Sequence, residues 1–102
     1  MADREGMIEL AEFFFTQAGE EMIALDQAIN EADPDSIRRL AHRLLGASAG
    51  CGMSRLVPQL AQLEQQSKQG DLTNARPLFS QLSGILDQTR AEFERWCSAN
   101  RS

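Results

Sequence analysis

The residues whose types could do chemistry are concentrated between Ser36 and Leu63. This stretch contains the only histidine of the chain, His42, together with four arginines and no aspartate or glutamate. The rest of the protein is acidic, so that the formal net charge over 102 residues is −5. An imidazole in a basic segment of an acidic protein has either a chemical role or a structural one, and its place on the local helix helps to decide between them.

The predicted helix around His42 turns the imidazole away from the core. A helix is expected to begin at Asp33-Pro34-Asp35-Ser36, where an N-cap carboxylate precedes a proline, and to end near Gly50. At about 100° per residue, the apolar positions form one stripe around Ile37, and His42 lies about 140° from it. A buried structural histidine is therefore disfavoured, while an ordinary surface histidine without a role stays an alternative.

Small residues follow His42 on the same face of this helix. Gly46 lies one turn after the histidine, and Ala49 lies beside it. A glycine inside a helix costs about 0.5–1 kcal/mol relative to alanine, so its presence needs a reason. It leaves space in which a bulky group or a partner surface can approach the imidazole. The alternative is close packing of this helix against another one.

Positive charge surrounds the same face. Arg39 lies one turn before His42 and Arg43 follows it directly, so both side chains can reach around the exposed surface. Guanidinium groups favour an anionic group on the imidazole and donate hydrogen bonds to its oxygens. The alternative is a solvated arginine face without a ligand.

Several other chemistries are excluded. A hydrolytic triad needs an exposed Ser or Cys beside the histidine, but Cys51 falls on the predicted core stripe and Cys97 is far along the chain. One histidine in a stretch without carboxylates does not make a metal site. The glycines at 46, 50 and 52 lack the preceding strand and the lysine of a nucleotide-binding loop. We therefore expect no metal and no autonomous catalysis.

The elements that must position His42 are all predicted to be helices. Apolar spacing indicates a helix over residues 7–15 and a second over 20–32, with Gly19 between them. After the His42 helix, another is expected from Met53 or Ser54 to Gly70, and a last one from Asp71 to about Ala99, bent or started later at Pro77. Short connections favour antiparallel neighbours. The prediction is a single all-α domain over residues 1–102, an antiparallel up-down four-helix bundle with an additional N-terminal helix.

Composition limits where this domain works and what it binds. The acidic balance, with a pI of about 4.8, argues against nucleic-acid binding. No apolar run reaches the roughly 20 residues that span a bilayer, and the polar N-terminus lacks a secretory signal pattern, so no membrane insertion is expected. The two cysteines form no C-x-x-C pair and are read as free thiols. We expect a cytoplasmic protein and a monomer.

The run Ala41-His42-Arg43-Leu44-Leu45-Gly46-Ala47-Ser48-Ala49, followed by Gly52 and by Leu60-x-x-Leu63-Glu64, resembles the histidine-containing phosphotransfer (HPt) domain family. The resemblance implies that His42 is a phosphoacceptor, modified on Nε2 by a receiver-domain aspartate and passing the phosphoryl group to another receiver. It makes Gly46 the clearance glycine and implies two-component signal transduction.

The family usually has a lysine where this chain has Leu45, and either Arg39 or Arg43 is expected to replace its charge. Leu45 and an exposed member of Phe13-Phe14-Phe15 are expected to supply apolar docking surface. The partners would be receivers of response regulators or hybrid sensor kinases. No cofactor is expected on this domain, because the divalent ion belongs to the receiver. The competing interpretation is a non-catalytic helical adaptor whose arginine-rich His42 face binds an acidic protein.

Overall fold

The computed structural model describes residues 4–100, and this range folds into four α-helices without any strand. Helix α1 spans Arg4–Asn30, α2 spans Pro34–Gly50, α3 spans Val57–Lys68 and α4 spans Ala75–Asn100. A single 3-10 turn, Ser54–Leu56, leads into α3. The predicted all-α class is confirmed.

Helix α1 is one continuous helix of 27 residues, and the predicted division near Gly19 is wrong. The buried stripe of α1 runs through that position, with Phe15 and Ala18 before Gly19 and Met22 and Leu25 after it. One glycine costs a helix about 1 kcal/mol, which is less than the packing of a continuous apolar stripe supplies. The bundle therefore has four helices in total, and the first of them takes the place of the separate N-terminal helix.

Helix α2, which carries His42, begins and ends as the sequence predicts. The Asp33 carboxylate accepts hydrogen bonds from the Ser36 backbone N–H at 3.3 Å and from the Ser36 hydroxyl at 2.7 Å, and Pro34 occupies the first turn. The hydrogen bond from the Ser36 side chain, with that from its backbone, lowers the pKa of Asp33 below its ordinary value. This cap fixes the start of the helix and hence the direction of every side chain on it.

Two glycines in left-handed backbone conformation mark the turns on either side of α3. Gly52 has φ +73° after α2, and Gly70 has φ +75° after α3. Asp71 caps a turn rather than α4, because its carboxylate accepts from the Thr73 backbone N–H at 3.0 Å. Helix α4 consequently begins at Ala75, and Pro77 falls in its first turn, where the missing N–H costs little.

Each helix packs on its two neighbours in the ring α1–α2–α3–α4, and within residues 4–100 the backbones of helices across the diagonal do not approach closely. Together with the short connections, this arrangement makes successive helices antiparallel. All four helices and the 3-10 turn contribute to one apolar core, whose buried members are Phe14, Phe15, Ala18, Met22, Leu25, Ala28, Ile37, Ala41, Leu44, Leu56, Leu60, Leu63, Ala75, Leu78, Leu82 and Leu86.

Candidate functional site

The imidazole of His42 stands on the outside of the bundle. Its side chain is 71% exposed, in the middle of α2 and on the side away from the buried positions Ile37 and Leu44. The outward direction predicted from helix geometry is correct. A rigid helix therefore presents this side chain to any molecule that approaches the face.

Glu64 of α3 holds one nitrogen of the ring. The His42 Nδ1 atom lies 2.9 Å from Glu64 Oε2, and the Glu64 side chain is only 26% exposed. A carboxylate accepts hydrogen bonds, so this contact places the proton of a neutral ring on Nδ1 and leaves the lone pair on Nε2. Because Nδ1 is occupied, Nε2 is the ring nitrogen that has no hydrogen-bond partner among residues 4–100. The structure thus presents a nucleophilic nitrogen whose orientation and tautomer are fixed by a second helix.

The space next to His42 is open. Gly46 is exposed, and a Cβ added there would meet no atom within 4 Å in the described part of the chain beyond the backbone of its own helix. Ala49, one turn further, is also exposed. The alternative that this glycine permits close packing against another helix of the bundle is therefore wrong. The clearance faces solvent, where an external partner can use it.

The two arginines predicted beside His42 point in different directions. Arg39 reaches back to the start of α2, with its Nη2 3.2 Å from Ser36 Oγ and its Nε 3.6 Å from Asp35 Oδ2. Arg43 reaches across to α1, where its Nη1 lies 4.0 Å from Glu21 Oε1. Both side chains remain more than half exposed. The positive charge is present on this face, but each guanidinium is engaged with a carboxylate.

Glu21 is a half-buried carboxylate on α1. Burial raises its pKa above the ordinary value, and the nearby Arg43 partly opposes that shift. Its Oε2 atom is buried without a hydrogen-bond partner in the described range. The contact with Arg43 consequently links α2 to α1 on the side of His42 that is away from Glu64.

Two residues of this face were not predicted as site residues. Arg38 lies one turn before His42, about 40° around the helix, and its Nη2 donates to Asp35 Oδ1 at 3.0 Å. Glu64 is the first carboxylate after the acid-free stretch, and it comes from a different helix. An antiparallel register of α2 and α3 is the signal that could have paired residues 42 and 64, and sequence spacing alone does not supply that register.

Apolar side chains flank the site on both sides of the histidine. Leu45 is half-buried against the core, while Phe13 on α1 is 63% exposed, as expected for one member of the aromatic run. A groove of about 290 Å³ runs between α1 and α2, lined in part by Leu10, Phe13 and Ala47. We call it the α1/α2 groove. It ends at Glu21, next to Arg43 and the histidine face.

The described residues contain neither a metal cluster nor a bilayer-spanning helix. No group of three or more His, Cys, Asp or Glu side chains within residues 4–100 could hold a metal ion. None of the helices in that range is long and apolar enough to cross a membrane.

The family model described as the Hpt domain matches residues 9–92, which is most of the chain. The chain belongs to the Hpt domain family. Hpt domains are phosphocarrier modules that interact with receiver domains, so this domain has a phosphotransfer role in two-component signalling. The family match covers α2 and α3, the two helices that bring His42 and Glu64 together.

The Hpt fold is confirmed by a solved structure. The crystal structure of histidine-containing phosphotransfer protein B (HptB) from Pseudomonas aeruginosa PAO1 superposes with a TM-score of 0.87 at 24% sequence identity. The superposition covers 92% of this chain and 82% of HptB. At this identity the likeness concerns the fold. A comparison with curated proteins finds no match.

Proposed function

We propose that this Hpt domain is a phosphorelay intermediate in which His42 accepts a phosphoryl group from a receiver-domain aspartate and passes it to a second receiver. One observation supports this most directly. His42 is exposed, and its Nδ1 is held at 2.9 Å by Glu64, so that the lone pair of Nε2 faces outward. The proposed partners are receivers of response regulators or hybrid sensor kinases.

The transfer needs only a positioned nucleophile from this domain. The Nε2 lone pair forms a bond to phosphorus, while the bond from phosphorus to the aspartyl oxygen breaks and the electron pair returns to the carboxylate. The ring that results is cationic, and Glu64 stabilises it through the Nδ1 proton. The second transfer reverses these changes with a new aspartate. In-line transfer depends mostly on alignment and charge neutralisation, and the receiver supplies the divalent ion and the acidic pocket.

The other residues of the face have positioning and docking roles in this proposal. Gly46 and Ala49 leave room for the receiver to reach Nε2. Arg39 and Arg43 supply positive charge to the phosphoryl group or to the acidic receiver pocket. Each must first leave its carboxylate partner. For Arg39 the exchange is cheap, because exposed ion pairs contribute only about 0–1 kcal/mol, whereas Arg43 would leave the half-buried Glu21 without its cation. Leu45 and Phe13 provide apolar contact area.

The domain is proposed to act in the cytoplasm as a phosphocarrier without catalytic activity or a cofactor of its own. Both cysteines are free, with Cys97 buried and Cys51 half-buried. Free thiols are usual in a reducing compartment.

Transfer from a phosphorylated receiver tests the function directly. The wild-type domain is expected to take up acid-labile label, and His42→Gln is expected to take up none while keeping its helical circular dichroism. Equal labelling of the two proteins would overturn the phosphorelay. The adaptor interpretation makes the opposite prediction: function survives His42→Gln but is abolished by Arg39→Glu or Arg43→Glu.

A further inference from the structure

The His42 face lacks an unengaged positive charge on its own helix. Position 45 is an apolar, half-buried leucine. The arginines at 38, 39 and 43 each have a carboxylate partner, Asp35 for the first two and Glu21 for the third. A phosphoryl group on Nε2 would therefore have to compete for each of these cations. The neighbouring helix α3 offers a different one.

Lys68 is the only lysine of the chain, and it occupies the last turn of α3. It follows Glu64 by four residues, which places it about 6 Å further along the helix and about 40° around it. Glu64 itself contacts His42. Lys68 therefore lies on the flank of α3 that faces the histidine, one turn beyond the residue that holds the ring.

The directions of the side chains bring Lys68 and His42 toward each other. Side chains of an α-helix lean toward its N-terminus, so His42 leans toward Arg38 and Lys68 leans back toward Glu64. Because α2 and α3 are antiparallel, the Arg38 end of α2 lies beside the Lys68 end of α3. The two side chains consequently approach the same region from opposite helices.

The ammonium group of Lys68 is free to bind a ligand. The residue is exposed, and no carboxylate of residues 4–100 lies within ion-pair distance of it, in contrast to the three arginines of α2. An ammonium on a flexible four-carbon stem carries three donors and can follow a phosphoryl group through small changes of position. Such a cation binds without giving up an existing contact.

We propose that Lys68 binds the phosphoryl group on His42, and that α3 thereby supplies the positive charge that position 45 of α2 lacks. This inference rests on the proposed function of His42. It makes Lys68 a phosphoryl-binding residue that stabilises the transferring group by charge, as cations do in other phosphoryl-transfer sites.

Phosphoramidate is the probe that tests the inference without a receiver. The Nε2 lone pair forms a bond to phosphorus while the bond from phosphorus to nitrogen in the reagent breaks. The reagent nitrogen already carries three hydrogens, so it leaves as ammonia. Lys68→Gln is expected to lower the rate of His42 phosphorylation about threefold, as for loss of one exposed charge contact, and Lys68→Arg to restore most of it. Arg95→Gln, an equal charge change far along α4, is the matched control and leaves the rate unchanged.

A double substitution and a spectroscopic signature make the test specific. Leu45→Lys is expected to raise the rate more in the Lys68→Gln background than in the wild type, because both lysines would serve one phosphoryl group. The ³¹P chemical shift of phospho-His42 is expected to titrate at higher pH in Lys68→Gln than in the wild type, since a cation favours the more charged phosphoryl form. Circular dichroism confirms that each variant is folded.

The outcomes separate the two proposals. If wild type and His42→Gln react equally with phosphoramidate and with a phosphorylated receiver, the function of His42 is overturned. If His42 is phosphorylated but Lys68→Gln matches the wild type in rate and in ³¹P titration, Lys68 does not bind the phosphoryl group. Equal gains from Leu45→Lys in both backgrounds would likewise overturn the role of Lys68.

Discussion

Helix α2 has two flanks, one facing α3 and one facing α1, and they differ in the polarity of their side chains. On the side of α3, polar groups meet across a short distance, with His42 Nδ1 2.9 Å from Glu64. On the side of α1, the α1/α2 groove of about 290 Å³ is lined by apolar residues such as Leu10 and Phe13. One helix therefore separates a surface suited to chemistry from a surface suited to protein contact. If this division is correct, each flank can be disabled while the other still works.

The largest effect is expected at Gly46, which lies beside His42 on the exposed ridge of α2 between the flanks. Gly46→Leu fills the clearance proposed for the receiver, and a misplacement of about 1 Å in a transfer can cost roughly 100-fold in rate. We expect a loss of that order in transfer from a phosphorylated receiver, followed by acid-labile label. Reaction with the much smaller phosphoramidate should fall far less. Equal losses with both donors would show that leucine disturbs His42 itself.

Gly46→Ala separates stability from function at the same position. An added Cβ meets no other side chain there, so the domain should gain about 0.5–1 kcal/mol in urea unfolding from helix propensity. Gly84→Ala in α4 is the matched control, because that glycine is also exposed, helical and open. It should give the same gain without any change in phosphotransfer. If Gly46→Ala transfers the phosphoryl group as fast as Gly84→Ala does, Gly46 does not provide clearance for a receiver.

The next largest effect is expected at Glu64, on the α3 flank. Removal of a hydrogen bond to a charged group costs about 1.5–3 kcal/mol when it is sheltered and less when exposed, so Glu64→Ala should slow phosphorylation roughly tenfold. Both the receiver and phosphoramidate should show this loss, because the ring itself is affected. Glu64→Gln keeps an acceptor oxygen, so its phosphorylation rate should lie between those of the wild type and Glu64→Ala. Gln65→Ala, at the exposed neighbouring position, is the control; a rate for Glu64→Ala equal to the control would refute the role.

A smaller effect is expected at Phe13, on the α1 flank. Phe13→Ser removes an exposed aromatic contact and should weaken receiver binding about five- to tenfold in calorimetry. Phosphoramidate should react with this variant at the wild-type rate, because the α3 flank is untouched. Ile23→Ser is the control, since Ile23 is 73% exposed on α1 but lines the groove between α1 and α4 instead. If both variants bind equally well, docking does not use the α1/α2 groove.

The smallest effect is expected at Glu21, which links α1 to α2 through Arg43. Burial raises the pKa of Glu21, so the folded protein holds this proton more tightly than the unfolded chain does. Stability is therefore lost as the pH rises from the ordinary pKa of glutamate through the raised one. Glu21→Gln should gain less than about 1 kcal/mol at pH 7 in urea unfolding, and the gain should vanish below the ordinary pKa. The exposed neighbour Glu20→Gln is the control, and a gain independent of pH would contradict this account.

Local signals predicted α2 well, because its N-cap, its apolar stripe and its C-terminal glycine all lie within one continuous segment of the sequence. Asp33 caps the helix, Pro34 begins it, and helical spacing turns His42 outward, as the structure confirms. The length of the N-terminal helix α1 was harder to predict. Gly19 suggested a break, but the buried stripe of α1 continues past it, and packing outweighs the propensity of one residue.

Contacts between helices could not be read from spacing. The pairing of His42 with Glu64 depends on the register of α2 against α3, and the contact of Arg43 with Glu21 depends on the register of α2 against α1. Arg43 follows His42 in sequence, yet a step of about 100° per residue turns it toward the other neighbour. The resemblance to the Hpt family singled out His42 and Gly46 as candidates, whereas the partners that hold each side chain came from the three-dimensional arrangement.

The single lysine side chain has a practical consequence for following this protein in solution. Amine-directed reagents such as succinimidyl esters find one lysine in the sequence, and it is exposed at the end of α3. A small fluorophore attached there would sit one helical turn beyond Glu64, the residue that contacts His42, and could report partner arrival by energy transfer. A short amine-reactive cross-linker would similarly capture whatever protein covers that face and mark the point of contact for mass spectrometry.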